Sequence, residues 1–357
     1  MDHCQSSICR AALIVSAGTL VLAGSSVSAQ ETQPVGNTKA DQQRNAELLK
    51  GYDYSKYPSA ITGYTGQDRQ QIVFERRQPA IRTRVGPRGN YKAGLAELSN
   101  GKLVLATCRN NNDADPTKKR FLIHVYESAD LGLSWKEINK TPLFGKEPSL
   151  SVMANGTVVM SAQRGYFGPG SKSKESINMA RSTDGGRTWE TYNLPGADYP
   201  RNMIAERDGS LLFVRAVKSD WSFKGEGSPN LQLCRSKDGR TWTFTEGAVD
   251  WDFQAFGEVS AIRLKDGRLL AALRRQIPKT KGEGFEDTVV SESSDGGKHW
   301  SRPRVMVNTA EVHVYLTELH DGRILATYSN YHLPYGAYAI VSTDGGKTWD
   351  RDRPIRL

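Results

Sequence analysis

The chain has 357 residues, of which 38% are hydrophobic and 24% are charged, and its formal net charge is +9. This length allows two ordinary domains or one large all-β domain. The positive charge favours an anionic partner such as an acidic glycan. The chain lacks the combination of a basic groove and stacking aromatic residues that is typical of nucleic-acid binding.

Residues 1–29 are predicted to be a signal peptide. Arg10 precedes an apolar run from Ala11 to Gly24, and small residues lead to a cleavage site near Ala29 and Gln30. We expect a polar leader over residues 30–70. No later stretch is apolar for long enough to cross a bilayer. The protein is therefore expected to be secreted or periplasmic, without a membrane span.

Cleavage of the signal would leave two Cys residues, Cys108 and Cys234. Two Cys in a chain of this length do not make a disulfide scaffold. They either pair with each other or stay buried as small hydrophobic side chains. No Cys and His residues have the spacing of metal ligands, so we expect neither a metal nor a cofactor.

Two sequence signals repeat in phase along the chain. The first is a string that contains Asp and ends in Trp, and its five copies are "SADLGLSW" (128–135), "STDGGRTW" (182–189), "SKDGRTW" (236–242), "SSDGGKHW" (293–300) and "STDGGKTW" (342–349). The second is an Asn-Gly or Asp-Gly pair between apolar runs, with its Gly at 101, 156, 209, 267 and 322. Such a pair between apolar runs predicts a tight β-hairpin.

Each repeat therefore predicts four strands, which form one small antiparallel sheet. The five units cover about 91–140, 145–195, 200–248, 256–306 and 311–357. A sheet of this size cannot bury both faces alone, so neighbouring sheets must stack on it. Radial stacking gives an all-β propeller. Within the repeated string the Asp can accept backbone N–H groups and the Gly residues allow positive φ, which indicates a folding role.

The repeated string resembles the Asp box, S-x-D-x-G-x-T-W, of the sialidase (neuraminidase) superfamily. The first copy lacks one of the paired Gly residues and the Thr, and the third copy is one residue short. The resemblance covers roughly residues 71–357 and implies a propeller of the six-bladed type. Five full blades are evident, and residues 71–81 could supply one strand of a sixth. The alternatives are a five-bladed ring and a chain that stops before its last blade, and we expect the second.

The resemblance also implies site residues in the first blade. The family's Y-R-I-P sequence matches "YKAG", so that Lys92 stands where a substrate-binding Arg is expected. Arg makes a planar two-point contact with a carboxylate and Lys does not. After the hairpin, Arg109 matches a family Arg, and Asp113 or Asp115 would be the general acid. The alternative for both Asp residues is a solvated polar loop.

Later blades supply the other candidates. Glu258, followed by Arg274 or Arg275, matches the family's Glu and its carboxylate-binding Arg, and a structural ion pair is the alternative. Tyr338 lies where another clamp Arg is expected. The nucleophilic Tyr of sialidases belongs to the last blade, which this chain is expected to lack. Tyr315 is a weak substitute for that Tyr. His313 is a further candidate in this blade, and core packing at a blade edge is the alternative for His313 and Tyr315.

Two Arg residues could replace the lost clamp residues. Arg164 begins a long loop rich in Gly, Ser and Lys, and Arg201 lies in the same phase of its repeat as Glu147 and Glu258. Loops of this kind commonly line the mouth of a propeller.

The function that these features predict is a secreted glycoside hydrolase of the exo-α-sialidase type that acts on acidic oligosaccharides or polysaccharides. A Tyr nucleophile suits this reaction because a carboxylate nucleophile would repel an anionic sugar. The alternatives are another glycosidase, a polysaccharide lyase on glycans that contain uronate, and a non-catalytic glycan-binding propeller.

Overall fold

A computed structural model describes most of the chain after residue 79 and two short segments before it. The described residues are 14–16, 19–23, 80–87, 89–111, 120–163, 176–195, 200–217, 230–249, 256–277, 285–307, 311–331 and 336–357. Within these ranges the secondary structure is all-β, as predicted, and no helix long and apolar enough to cross a membrane occurs in them.

Five antiparallel sheets correspond to the five repeats, and each forms one blade. Blade 1 contains β4 (Tyr91–Glu97), β5 (Leu103–Asn111), β6 (Arg120–Ser128), β7 (Lys136–Glu137) and β8 (Leu143–Phe144). Blade 2 contains β9 (Lys146–Val152), β10 (Val158–Gln163), β11 (Ser176–Ser182) and β12 (Glu190–Pro195). Blade 3 contains β13 (Ile204–Ala205), β14 (Leu211–Val217), β15 (Asn230–Ser236) and β16 (Thr243–Val249).

The remaining blades follow the same order. Blade 4 contains β17 (Phe256–Arg263), β18 (Leu269–Ile277), β19 (Phe285–Ser293) and β21 (Arg304–Val307). Its short strand β20 (His299–Trp300) pairs in parallel with the outermost strand of blade 3. Blade 5 contains β22 (Glu311–Glu318), β23 (Ile324–Asn330), β24 (Gly336–Ser342) and β25 (Ile355–Arg356).

The hydrophobic core is divided among the interfaces between successive blades. One cluster joins Val104 of blade 1 to Met160 and Trp189 of blade 2. Equivalent clusters join blades 2 and 3, blades 3 and 4, and blades 4 and 5. Since each blade buries its faces against its neighbours, the sheets stack radially as a propeller, which confirms the predicted fold.

The hairpins between the first two strands of the five blades share one geometry. In blade 1 the N–H of Gly101 donates to Leu98 O at 2.9 Å, and the N–H of Leu98 donates to Lys102 O at 2.8 Å. The five hairpin Gly residues have φ between 80° and 89°. Each loop is therefore a turn closed by Gly in the left-handed region, so that only the Gly of the pair needs positive φ.

The Asp boxes are compact turns, as the sequence predicts. In the second box, Asp184 Oδ1 accepts the N–H of Thr188 at 2.9 Å and Asp184 Oδ2 accepts the Thr188 hydroxyl at 2.7 Å. Although its partial burial opposes ionisation, these hydrogen bonds lower the pKa of Asp184 to about 2. A box turn also contacts the preceding blade. In the fifth box, a Cβ atom on Gly346 would lie 2.6 Å from Cδ2 of Leu270 in blade 4. The boxes therefore hold neighbouring blades together.

Leu131 in the first box stands where the other boxes have Gly, and it has φ +57° with 69% of its surface exposed. Its side chain gains little from packing, while a left-handed conformation costs a residue with a Cβ atom about 1–2 kcal/mol. We expect Leu131→Gly to raise the free energy of unfolding by about 0.5–1 kcal/mol after the entropy cost of Gly. Urea denaturation measures this change.

Gly296 provides the reverse control for this prediction. It occupies the equivalent position in the fourth box with φ +76°, and an added Cβ would meet nothing within 4 Å. Gly296→Leu is expected to lower the free energy of unfolding by about 1 kcal/mol through the backbone alone. A lower stability of Leu131→Gly would show that the Leu131 side chain makes a contact that outweighs its backbone strain.

A further sheet of three strands lies beside blade 1. It consists of β1 (Ile14–Ser16), β2 (Thr19–Ala23) and β3 (Ala80–Thr83), and β1 packs beside β4. Both β1 and β2 fall within the predicted signal peptide. The predicted leader at 30–70 lies outside the described residues. Cys108 and Cys234 are both buried thiols and form no disulfide with each other.

Candidate functional site

The inner strands of four blades share one backbone irregularity near their start. At Lys92, Glu147, Glu258 and His313 the φ angle lies between 49° and 59°. Each residue lies nine positions before the hairpin Gly of its blade, at 101, 156, 267 or 322. This conformation is costly for residues with a Cβ atom, and such residues cluster at functional sites. The repetition therefore identifies these positions as candidates.

A β-bulge accounts for the irregularity. The pairing between the first two strands shifts between Tyr91 and Gly94 in blade 1, and between Gly257 and Ser260 in blade 4. Blades 2 and 5 show the same shift. The extra residue of a bulge is left out of the ladder, and its side chain takes a new direction. Blade 3 differs because Arg201 lies eight positions before its hairpin Gly.

The side chains from these five positions, together with Arg274, form a connected set of charges. We call it the axial cluster, and its members are Lys92, Glu147, Arg201, Glu258, Arg274 and His313. Lys92 Nζ donates to Glu147 Oε1 at 2.5 Å, and Arg201 Nη1 lies 2.8 Å from Glu147 Oε2. Arg201 Nη2 lies 2.6 Å from Glu258 Oε1. Arg274 Nη1 lies 2.9 Å from Glu258 Oε2.

His313 places this cluster at the propeller axis. Its Nδ1 lies 2.6 Å from Glu258 Oε2 in blade 4 and 3.0 Å from Arg201 Nη2 in blade 3. Blades 3 and 5 are not neighbours in the stack. Side chains from their inner strands can meet only where those strands converge, which is the centre of the propeller.

The cluster is mostly shielded from solvent. The side-chain exposure is 4% for Glu147, 10% for Glu258 and 14% for Arg201, while Lys92 keeps 35%. Buried charges are tolerated when they are paired, which these contacts achieve. Lys92 is the member that solvent or a ligand reaches most readily.

Glu258 is held in its ionised form. Burial of the carboxyl group opposes ionisation, but the charges of Arg201 and Arg274 and the contact with His313 outweigh it and keep the pKa of Glu258 well below its usual range. An ionised carboxylate cannot donate a proton at neutral pH. Glu258 can therefore stabilise positive charge, accept a proton or polarise a hydroxyl group, but another residue must act as the acid.

His313 is the neutral partner of Glu258. Burial lowers its pKa, and the charge of Arg201 acts in the same direction although Glu258 raises it. His313 Nδ1 lies 2.6 Å from Glu258 Oε2 and 3.0 Å from Arg201 Nη2, so the tautomer decides whether it donates to the carboxylate or accepts from the guanidinium. The ring of Tyr331 packs edge-on against His313 with centroids 6.1 Å apart, and half of Tyr331 is exposed. Tyr331 is thus an aromatic surface next to the cluster.

The structure separates the two Arg candidates of blade 4. Arg274 reaches Glu258, whereas Arg275 lies directly opposite Asp287 on the next strand and binds it through Nε at 2.8 Å. Asp287 is 4% exposed, so the Arg275 pair is internal to the blade. Consecutive residues of a strand point to opposite faces, which explains why only one of them joins the cluster.

The other predicted residues have contacts elsewhere in the blades or lie outside the described residues. Arg109 lies on β5, and a Cβ on Gly89 would be 3.7 Å from its side chain. Tyr315 is 39% exposed, yet its hydroxyl is desolvated, which raises its pKa to about 12. Tyr338 is buried and stacks on Tyr328 with centroids 6.0 Å apart. Three more predicted residues, Asp113, Asp115 and Arg164, lie outside the described residues.

Glu147 and Tyr331 belong to the site or lie next to it, but the sequence did not predict either of them as a site residue. The phase of the repeat places Glu147 at the same position as Glu258, and this signal could have found it. Tyr331 gives no comparable signal, because its place beside His313 depends on how blade 5 folds. Among the described residues no group of three or more His, Cys, Asp or Glu side chains could hold a metal ion.

Comparison with known proteins agrees with this architecture. The model of the BNR repeat-like domain matches residues 205–357. A sialidase of Micromonospora viridifaciens is 27% identical over 263 residues, which are 64% of this chain and 40% of that protein. The anhydrosialidase of Macrobdella decora is 39% identical over 187 residues, which are 48% of this chain and 22% of that protein. The chain spans less than half the length of either relative.

Solved structures support the fold. The Penicillium chrysogenum alpha-L-arabinanase complexed with arabinobiose aligns with a TM-score of 0.53 at 16% identity, over 73% of this chain and 80% of that chain. A Hadza microbial sialidase aligns with a TM-score of 0.51 at 20% identity, over 77% of this chain and 62% of that chain. The chain therefore folds as a β-propeller, and over part of its length it is similar to sialidases and to the BNR repeat-like domain.

Proposed function

We propose that the protein is a glycoside hydrolase of the sialidase-like propeller type and that its reaction takes place at the axial cluster. The observation that carries this proposal is the ionised Glu258, which lies at the propeller axis between Arg201, Arg274 and His313. A fixed negative charge at the axis of a propeller can stabilise the positively charged transition state of glycoside cleavage. The relatives named as sialidases support the same class of reaction.

The preferred substrate in this proposal is an acidic glycan, and an exo-linked α-sialoside is the first choice. Lys92, Arg201 and Arg274 bring three cations to one site, and the net charge of +9 would attract an anionic glycan. Since Glu258 is ionised, the leaving group must take its proton from another residue. Asp113 or Asp115 is proposed for that role.

A neutral glycoside is the second candidate, and one observation favours it. The two carboxylates of the cluster already bind its cations: Glu147 binds Lys92 and Arg201, and Glu258 binds Arg201 and Arg274. An incoming sugar carboxylate would have to compete with them. The arabinanase of similar fold was solved with arabinobiose, which is a neutral sugar.

Hydrolysis assays with purified protein test both candidates. The substrates are the methylumbelliferyl glycosides of α-N-acetylneuraminate and α-L-arabinofuranose, with a uronate polysaccharide as a third arm. We expect turnover of the sialoside, while turnover of the arabinofuranoside alone would select the neutral candidate. An unsaturated product from the polysaccharide would indicate a lyase, and the absence of any turnover by folded protein would contradict enzymatic function.

Export is part of the same proposal, and it rests on the signal-like sequence before Gln30. Sequencing the N-terminus of protein recovered from the periplasm or medium tests it. A new N-terminus near Gln30 is expected, and retention of the full chain in the cytoplasm would contradict it.

A further inference from the structure

Glu147 lies between cations from two neighbouring blades. Its Oε1 is 2.5 Å from Lys92 Nζ in blade 1 and 3.6 Å from Lys146 Nζ, and its Oε2 is 2.8 Å from Arg201 Nη1 in blade 3. Each carboxylate oxygen thus faces a different positively charged group. A carboxylate placed here is bound from both sides, in the way that proteins bind a free carboxylate ligand.

The backbone shows that this placement has a cost. Glu147 adopts φ +58°, which is unfavourable for a residue with a Cβ atom. The bulge turns the Glu147 side chain toward the axis, where only 4% of it stays exposed. Such a conformation persists when the surroundings fix it, and here the ion pairs with Lys92 and Arg201 do so.

Lys92 connects this position to the open side of the cluster. Its side chain is 35% exposed, whereas Arg201 is 14% exposed. A ligand that reaches the axis would meet Lys92 first and Arg201 behind it. The Glu147 carboxylate occupies the space between these two cations, where an anionic ligand group would be most strongly attracted.

We propose that Glu147 fills a carboxylate-binding subsite between Lys92 and Arg201 and thereby lowers the affinity of the site for anionic sugars, the preferred sialoside included. The inference rests on the proposed glycan site at the axial cluster. A sugar carboxylate competes with the protein's own carboxylate for the same two cations. Removing the charge of Glu147 would therefore leave a vacant subsite that favours sialic or uronic acids.

Binding of free sugars to Glu147→Gln tests this proposal without requiring turnover. Gln has the shape of Glu, so it removes the negative charge with little change in volume. Isothermal titration calorimetry with N-acetylneuraminate is expected to show a Kd at least about tenfold lower than that of the wild type, since a like charge near the ligand is gone. The Kd for arabinobiose is expected to stay unchanged.

A second variant shows whether the gain depends on the proposed subsite. In Lys92→Gln/Glu147→Gln the cation on the open side is also absent, and the tighter binding of N-acetylneuraminate should be lost. Glu206→Gln is the matched control, because Glu206 is also mostly buried and pairs with Arg263 of the next blade at 2.8 Å. It should bind both sugars as the wild type does.

Folding is checked by circular dichroism, because Glu147→Gln leaves two cations with less compensation. If this variant does not fold, Lys146→Gln/Glu147→Gln keeps the net charge of the wild type and retains Lys92 and Arg201. Folded protein with no gain for N-acetylneuraminate, or with an equal gain for arabinobiose, would overturn the inference. If the wild type turns over a glycoside but Glu147→Gln shows no such gain, the inference about Glu147 fails and the proposed function is kept. If the gain is seen without any turnover, the proposed function fails and the subsite is kept.

Discussion

Glu258→Gln is expected to lower kcat on the preferred glycoside roughly 10²- to 10³-fold, the loss typical of removing one preorganised electrostatic group. Gln keeps the shape of Glu and an acceptor oxygen, so the variant loses the negative charge at the axis. That charge is most valuable when positive charge develops on the sugar in the transition state. Steady-state kinetics on the glycoside that the wild type cleaves measures the effect, and KM should change much less than kcat.

The control for this experiment is Glu206→Gln, which removes a mostly buried carboxylate that pairs with Arg263 at 2.8 Å, outside the axial cluster. Its kcat is expected to stay within about twofold of the wild type, since surrounding ion pairs affect stability more than chemistry. Both variants are compared well below their Tm. Full activity of folded Glu258→Gln would remove Glu258 from the reaction.

Arg201→Met is expected to lower the free energy of unfolding by roughly 3–5 kcal/mol, the usual cost of breaking a buried ion pair from one side. Arg201 pairs with both Glu147 and Glu258, so its loss leaves two buried carboxylates with less compensation. The pairs also cross from blade 2 to blade 4. Urea denaturation followed by intrinsic fluorescence measures the change.

Arg323→Met is the matched surface control for Arg201→Met. Arg323 and Asp321 form an exposed pair at 2.7 Å, with about half of each side chain in solvent. Such solvent-exposed pairs contribute little to stability, so this variant should unfold almost as the wild type does. Adding Glu147→Gln and Glu258→Gln to Arg201→Met should restore part of the stability. A cost for Arg201→Met as small as that of Arg323→Met would show that water already compensates the axial charges.

The propeller itself could be predicted because its signals are local and repeated. Each Gly at 101, 156, 209, 267 and 322 closes a hairpin, and each box holds its Asp inside one turn. These features need only a few consecutive residues, so the sequence reveals both the blades and their limits. The position of Glu258 in the repeat also follows from this phase.

The composition of the axial cluster could not be predicted in the same way. Glu147, Arg201 and His313 come from blades 2, 3 and 5, and Arg201 contacts Glu147 and His313 across 54 and 112 residues of the chain. The choice between Arg274 and Arg275 depends on which face of β18 turns toward Glu258. The presence of Leu131 in a left-handed turn also goes against local preference, and only the structure shows that it is accommodated.

The bulge at the start of the inner strands has a consequence for how such a protein could change during evolution. Lys92, Glu147, Glu258 and His313 differ in size and charge, yet their φ angles agree within ten degrees. The backbone there does not depend on which side chain it carries. A single codon change at one of these positions can therefore alter the charge presented at the axis without a new loop or a new fold. Libraries that vary only these positions would search for new substrates on an unchanged scaffold.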